Sequence, residues 1–337
     1  MPLLLSQFPL LIHIEIFKHL EFESIFMLSL CSENTKRLIQ RIRLKAKKLR
    51  YTIDDDQISV LGGFTDDERD LESITTLKCV TSISRKKEIS VKLGGEPIKC
   101  SFGRNSHTLK YLEPENEDAL ELLKNHIDSL FHSKPSIQLK LHSPDSLSSS
   151  DIFDDVTDTS FMFENLDASG IEEHLTNYPN HHSLEFFSDL TKRELKQHSQ
   201  IWEIEGLALL GSYLTSSRAM KYFSGRCLIL HNAEISYSPL IQMIRKWQKK
   251  DGLHNLHAVV IHTFASDDFV DALLDELNAL DWDGIRRPKM FNYDPRIMNN
   301  SQCESDFSDA YDIQQEDGGK WGSILAAKDQ IAFVVWD

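Results

Sequence analysis

The chain has 337 residues, a length that fits two or three domains, and 41% of them are apolar, enough for a sizeable core. Its formal charge of −15 argues against general binding to nucleic acid or an anionic membrane surface, because phosphate contacts need a basic face. No run of about 18 apolar residues occurs, so no membrane-spanning helix is expected. Cys31, Cys79, Cys100, Cys227 and Cys303 lie far apart with no CxxC pair, which reads as reduced thiols in an intracellular protein, cytoplasmic or nuclear. The apolar start, MPLLLSQFPLLIHIEIF, lacks a basic leader and carries His13 and Glu15, which argues against a signal peptide.

The stretch from Phe8 to Gln40 organises the N-terminal end. Phe8, Ile12, Ile16, Phe17 and Leu20, then Ile25, Leu28, Leu30, Cys31, Leu38 and Ile39, recur at steps of three and four, the period of an amphipathic helix. Pro9 suits a first helical turn, where its missing N–H costs nothing. Glu21–Ser24 reads as a break with Ser24 capping a second helix, and Ser32 or Asn34 as the cap of a third. Three short helices carry more apolar face than they can bury alone, so the unit is expected to need a partner.

These residues resemble an F-box. Phe8-Pro9 stands at the Leu-Pro that opens that pattern, Ile12 at its first aliphatic position, Ile16-Phe17 at its central pair and Leu20 at its closing Leu. Ile25, Leu28, Ser29, Leu30 and Cys31 match its second half. Leu11 stands where the pattern has an acidic residue, and no Trp occurs near Asn34–Thr35. The resemblance implies a three-helix module over residues 5–48 that binds a Skp1-like protein, and through it a cullin-based ubiquitin ligase. Phe8, Pro9, Ile12, Ile16, Phe17, Leu20, Ile25, Leu28 and Cys31 are its candidate binding residues, divided between the module's own core and a partner groove.

Lys36, Arg37, Arg41, Arg43, Lys45, Lys47, Lys48 and Arg50 then crowd one stretch. They read as the solvated face of the third helix and its exit; a nuclear-localisation or RNA-binding patch is the sharper alternative. Short β-type runs follow at Ile58–Leu61, Leu77–Val80, Ile89–Leu93 and Ile98–Phe102, with Gly94-Gly95 as a hairpin turn, which predicts a small antiparallel meander. Pro114 opens a helical pattern running to Phe131, with Ala119, Leu122, Leu123, His126 or Ile127, and Leu130 on one face. A strand is expected at Ile137–Leu141. The Ser/Asp-rich tract Ser143–Asp158 reads as an exposed loop, with phosphorylation as its functional alternative.

From Ile201 the pattern becomes repetitive. Strand cores are expected at Ile201–Ile204, Leu228–Leu230 and Val259–Ile261, with helices at Ser238–Lys250 and from Asp267 or Asp268 through Leu280. One strand and one helix per unit cannot close a core alone and must stack, so the region is leucine-rich-repeat-like, without that family's Asn ladder. The segments Cys227–Asn232, Leu240–Trp247 and Leu256–Ile261, with Tyr311–Ile313, Asp317–Lys320 and Ile331–Trp336, resemble the F-box-associated domain of nematode F-box proteins. That resemblance implies a substrate-recognition domain over residues 51–337.

No catalytic signature appears. His174 with His181-His182 is the densest histidine cluster, without a spaced carboxylate or Cys to complete a metal site. Asp54-Asp55-Asp56 and Asp154-Asp155 lack the glycine and closing Glu of a calcium loop, and read as solvated turns. Glycine pairs without GxxxxGK[ST] make no phosphate loop, and no nucleophile elbow or kinase set occurs. Trp247 and Trp336 read as core.

The expectation is thus an α/β chain: an all-α F-box, a mixed β-meander and a strand–helix repeat. It is read as a non-enzymatic substrate adaptor with no cofactor, an unknown protein substrate, and no nucleic-acid or membrane partner. The alternatives are a non-catalytic scaffold without a ligase link, and an uncharacterised hydrolase or metal enzyme.

Overall fold

The computed structural model describes residues 8–65, 67–103, 108–112, 118–164, 166–187, 195–211, 215–233, 237–294, 304–327 and 329–337. The chain forms two compact units, Met1–Val156 and Thr157–Asp337. The N-terminal helices share the first unit with a mixed sheet.

That unit opens with α1 (Leu10–Lys18), α2 (Phe22–Cys31) and α3 (Glu33–Ile42). Pro9 stands just before α1, its carbonyl accepting from the Ile12 and His13 N–H groups at 2.9 and 3.2 Å. The α2 cap is Glu21, not Ser24: the chain turns helical early enough to bury Phe22, leaving Ser24 inside the first turn. Ser32 caps α3, its Oγ accepting from the Thr35 N–H at 3.1 Å. Arg43, in the left-handed conformation at φ 57°, ends α3.

Seven strands follow: β1 (Lys48–Ile53), β2 (Gln57–Gly63), β3 (Glu72–Val80), β4 (Ile89–Leu93), β5 (Glu96–Phe102), β6 (Thr108–Leu112) and, after helix α4 (Ala119–Asp128), β7 (Ser136–Leu141). Their spatial order is β7-β1-β2-β3-β6-β5-β4. The sheet is mixed rather than a pure meander, because β3 pairs parallel with β6 and β1 parallel with β7. Parallel neighbours need a crossover, which the segment carrying α4 supplies for β7. The expected start of that helix at Pro114 lies outside the described residues. The Gly94-Gly95 hairpin forms as expected, with φ +60° and +105°. A Cβ on Gly94 would also lie 2.7 Å from the Leu122 carbonyl oxygen.

The Ser143–Asp158 tract is not an exposed loop. It carries helix α5 (Pro144–Ser148), a 3-10 turn at Ser149–Ile152 and the start of a strand at Val156. A Ser143/Ser146 capping box starts the helix. Ser146 and Ser150 are buried because their hydroxyls donate to the Ser143 and Leu147 carbonyls at 2.5 and 2.6 Å. Phe153 packs on Tyr51, ring centroids 4.7 Å apart.

The second unit is built on β8 (Val156–Phe161), β9 (Ser183–Phe186), β10 (Gly206–Leu209), β11 (Cys227–His231) and β12 (Ala258–His262), each parallel to the next. Helices α6 (Ala168–Asn177), α7 (Ser216–Tyr222), α8 (Tyr237–Gln248) and α9 (Asp267–Leu277) occur between and after them. The strand expected at Ile201–Ile204 is instead a 3-10 turn over Gln200–Glu203, and β10 starts at Gly206. Ser199 caps the turn, Trp202 Nε1 donates to the Lys196 carbonyl at 3.0 Å, and Ile201 and Trp202 are buried. Strands β13 (Leu280–Asp281), β16 (Tyr311–Gln314), β17 (Trp321–Ala327) and β18 (Gln330–Val335) add an antiparallel flank, β18 beside β12; β14 (Met290–Asn292) and β15 (Glu304–Asp306) pair separately. Trp247 is buried against Phe333, and Trp336 against Phe291 and Phe307.

A buried ion pair organises that flank. Arg287 Nε donates to Asp312 Oδ1 at 2.7 Å, and Arg287 Nη2 to the Phe307 carbonyl at 2.8 Å. The guanidinium lies 4.9 Å from the ring centroids of both Trp282 and Trp336. Ser323 Oγ donates to the same Asp312 oxygen, and Trp336 Nε1 to Ser323 Oγ. Replacing Arg287 by Met strands a fully buried carboxylate. Urea unfolding followed by Trp fluorescence should therefore show a loss of ~3–5 kcal/mol.

Candidate docking face of the helical module

The three helices divide their apolar residues between an interior and an outer face. Phe17, Phe22, Ile25, Phe26 and Ile39 are buried. Phe22 stacks on Phe64 at 4.7 Å and meets Phe131 edge-on at 5.7 Å, so α2 rests on the rest of the first unit. Of the nine residues predicted from sequence, Phe17 and Ile25 are therefore core. Phe8, Ile16, Leu20 and Leu28 are half-buried, while Pro9, Ile12 and Cys31 are exposed. Among the described residues of the module the most exposed apolar side chain is Leu11, at 74%, with Ile12 at 44%. Leu11 was absent from the predicted set; its apolar character at a position where the pattern has an acid was the available signal.

A hydrogen-bond chain fixes the module to the sheet. The Gly94 N–H points at His126 Nδ1 at 3.4 Å, and His126 Nε2 lies 2.7 Å from Ser29 Oγ, which is 2.6 Å from the Phe26 carbonyl. With Nδ1 accepting, the ring proton sits on Nε2 and donates to Ser29 Oγ, whose own proton goes to Phe26. Burial, with a smaller contribution from the Lys36 charge, pushes His126 down to about 3, so the ring is neutral and every member of the chain has a partner. Gln40 Nε2 donates to the Ser129 carbonyl at 3.1 Å, and the His132 N–H to the Leu44 carbonyl at 2.8 Å. Sequence spacing offered His126 or Ile127 for the apolar face of the helix but held no sign of the His126 bond to Ser29, 97 positions away.

The basic stretch does not form one solvated face. Arg37, Arg41, Arg43, Lys45 and Lys47 are exposed, but Lys48 is buried and pairs with Glu68 at 3.2 Å, and Arg50 pairs with the same carboxylate. Arg50 Nε also donates to Gln138 Oε1 at 2.8 Å. The strand pattern of β1 sends these two cations inward, where they share the one carboxylate of Glu68.

In the second unit the histidine cluster is partly assembled. His174 and His181 lie with ring centroids 5.3 Å apart, and His174 Nε2 is 2.9 Å from Thr159 Oγ1. Burial lowers His174 to about 4 and His181 to about 3, so both are neutral, while His182 turns to Glu205 at 3.5 Å. Among the described residues no group of three or more His, Cys, Asp or Glu is placed to hold a metal ion. Asp56 and Asp155 are engaged by Lys78 and Lys134. Cys31, Cys79, Cys100 and Cys227 form no disulfide; Cys303 lies outside the described residues. Among the described residues no helix is long and apolar enough to cross a membrane.

A family model described as the F-box domain matches residues 5–47, a range that contains α1, α2 and α3. No curated protein and no solved structure gives a significant match to the chain. An F-box implies a Skp1-binding adaptor of a cullin-based ligase, a class that is typically non-catalytic.

The neutral His126 predicts a pH dependence with a definite sign. The unfolded ring titrates near 6.5 and the folded one at about 3, so the unfolded chain binds more protons between those values. The stability that depends on the neutral ring is complete above pH 6.5 and is lost as pH falls toward 3. Buried His174 and His181 act in the same direction. Thermal melts should fall steadily below pH 6.5, and His126→Gln should lower Tm at pH 7.5 and flatten the decline.

Proposed function

With an F-box over residues 5–47 as premise, we propose that the chain is the substrate-recognition adaptor of a Skp1–cullin–F-box ubiquitin ligase. The observation that carries this reading is the exposed apolar surface of α1. Pro9, Leu11 and Ile12 stand in solvent on the segment that matches the family, while Phe17 and Ile25 hold the module from inside. Phe8, Ile16, Leu20 and Leu28 are half-buried, and Cys31 lies exposed at the end of α2. A Skp1-like protein covers the outer face. The neutral, fully bonded His126 link supports a module held in fixed orientation to the first unit's sheet.

Residues 51–337 form the recognition domain, of the F-box-associated type. The sequential parallel strands β8 to β12 support reading it as stacked strand–helix units, each burying the open face of its neighbour. The bound protein substrate is brought near a ligase held on the helical module, and the gain is one of local concentration rather than of chemistry within this chain. The adaptor acts inside the cell, without a cofactor.

Two substitutions separate core from docking face. Ile12→Asp should weaken binding to a Skp1-like protein by ~2 kcal/mol or more, about 30-fold, with Tm unchanged. Phe17→Ala should instead lower folding stability by ~3–5 kcal/mol. Isothermal titration and thermal melts on the full chain read both. Full-affinity binding by a folded Ile12→Asp chain would contradict the proposed face.

A further inference from the structure

Among the described residues the first unit's sheet has a free edge at β4, which is bonded to β5 on one side. The hairpin register fixes which of its backbone groups look outward. A two-residue turn at Gly94-Gly95 makes Leu93 and Glu96 a hydrogen-bonded pair, and the alternation then assigns the same role to Val91–Ile98 and Ile89–Cys100. Ser90 and Lys92 are left with N–H and C=O groups directed away from β5. Pro97, opposite Lys92, agrees with this, since it has no N–H to offer. Ser90 and Lys92 are exposed, and neither makes a backbone hydrogen bond elsewhere among the described residues.

Beside this edge lies a cleft of about 230 Å³, lined by Ser90 and Lys92 on one side and by Leu30, Cys31, Ser32 and Lys36 at the α2–α3 corner on the other. The Gly94–His126–Ser29 hydrogen bonds hold the two walls together. The charge here runs against that of the molecule. Arg85, Lys86 and Lys87 lead into β4 exposed, Lys92 is on it and Lys36 faces it, against Glu33, Glu88 and Glu96 nearby. Glu33 is already engaged by Arg37 at 3.6 Å. A net basic fringe on an open strand edge, in a chain of charge −15, selects a negatively charged polypeptide.

We propose that β4 is a docking edge for an extended acidic segment of a partner protein. The segment adds to the sheet as a further strand, its main chain bonded to Ser90 and Lys92 and its carboxylates set against Arg85, Lys86, Lys87, Lys92 and Lys36. The cleft meets the proposed docking face at Cys31, but the docking edge itself is β4, outside the three helices, and the proposal does not depend on what α1 binds. Lysines on an open edge also serve simply to keep it from pairing, and experiment separates the two roles.

The probe is a fluorescein-labelled nine-residue peptide alternating Glu and Thr, titrated with the full-length chain and followed by anisotropy at low salt. It should bind, weaken as salt rises, and bind at least tenfold better than its Lys–Thr counterpart. Ser90→Pro removes an outward N–H without breaking a β4–β5 bond, so it should leave Tm unchanged and lower affinity at least tenfold; Lys92→Glu should do the same. N-methylating alternate residues of the peptide tests the same bonds without altering the protein, and one of the two methylation registers should abolish binding. Ile12→Asp should leave peptide affinity unchanged. The proposal is overturned if neither methylation register weakens binding, if the Lys–Thr peptide binds equally well, or if a nine-nucleotide oligothymidine binds as tightly as the peptide. It is also overturned if a self-associated dimer occupies the edge and the acidic peptide does not displace it.

Discussion

The neutral imidazole of His126 is the constraint on which the first unit depends. A three-helix module of some forty residues has too little interior to stand alone, and this one leans on the rest of the first unit through Phe22, a buried polar chain and the Gln40–Ser129 and His132–Leu44 bonds. That chain works only in one protonation state. With Nδ1 accepting from the Gly94 N–H, Nε2 must carry the proton that Ser29 receives, and Ser29 must in turn donate to Phe26. A charged ring would put a second proton on Nδ1, against a backbone donor, in a place that burial already makes hostile to charge. One turn of α2, the face of α4 and the tip of the β4–β5 hairpin are thereby fixed together. Gly94 belongs to the same constraint, because a Cβ there would strike the Leu122 carbonyl.

Charge is handled differently in the two units. In the first, Glu68 draws Lys48 and Arg50 inward, so a basic stretch that looks continuous in sequence is split between interior and surface. In the second, Arg287 and Asp312 are buried together and shielded by Trp282, Trp336 and Ser323. Arg287 donates to Asp312, Phe307 and Pro288, while Asp312 accepts twice at Oδ1 and leaves Oδ2 without a partner, so it is the pairing with Arg287 that makes this buried charge tolerable. The rest of the second unit rests on apolar strand cores such as Leu228–Leu230 and Val259–Ile261, nearly sealed from solvent.

Local patterns carried much of this in the sequence. The period of three and four at Phe8–Ile39, the Gly94-Gly95 turn and the apolar runs at Leu228–Leu230 and Val259–Ile261 each name their element without help from distant residues. Features that depend on distant partners were hidden. The parallel pairing of β1 with β7 joins residues some 88 positions apart, as at Arg50 and Gln138, and no alternation in either strand reports it. Ile201–Ile204 has strand-like composition, but Ser199 and the Trp202 indole turn it into a 3-10 bend. Ser146 and Ser150 look solvated until their hydroxyls are seen closing on nearby backbone carbonyls. At the candidate site, sequence showed an apolar set but not its division: Phe17 faces inward and Ile12 outward because of how α1 lies against α3, a tertiary fact. Leu11 was legible only as a departure from the pattern, and in the fold it is the most exposed apolar residue of the face among the described residues.

The account turns on whether the outer face of α1 is where a Skp1-like protein sits. Hydrogen–deuterium exchange of the full chain, alone and saturated with such a protein, measures this directly. The account predicts slowed exchange across residues 9–31 and unchanged exchange in β1, β2 and β3, as expected for a module that docks without rearranging the sheet behind it. Saturated binding that leaves residues 9–31 unprotected, or no binding by a folded chain, would contradict it.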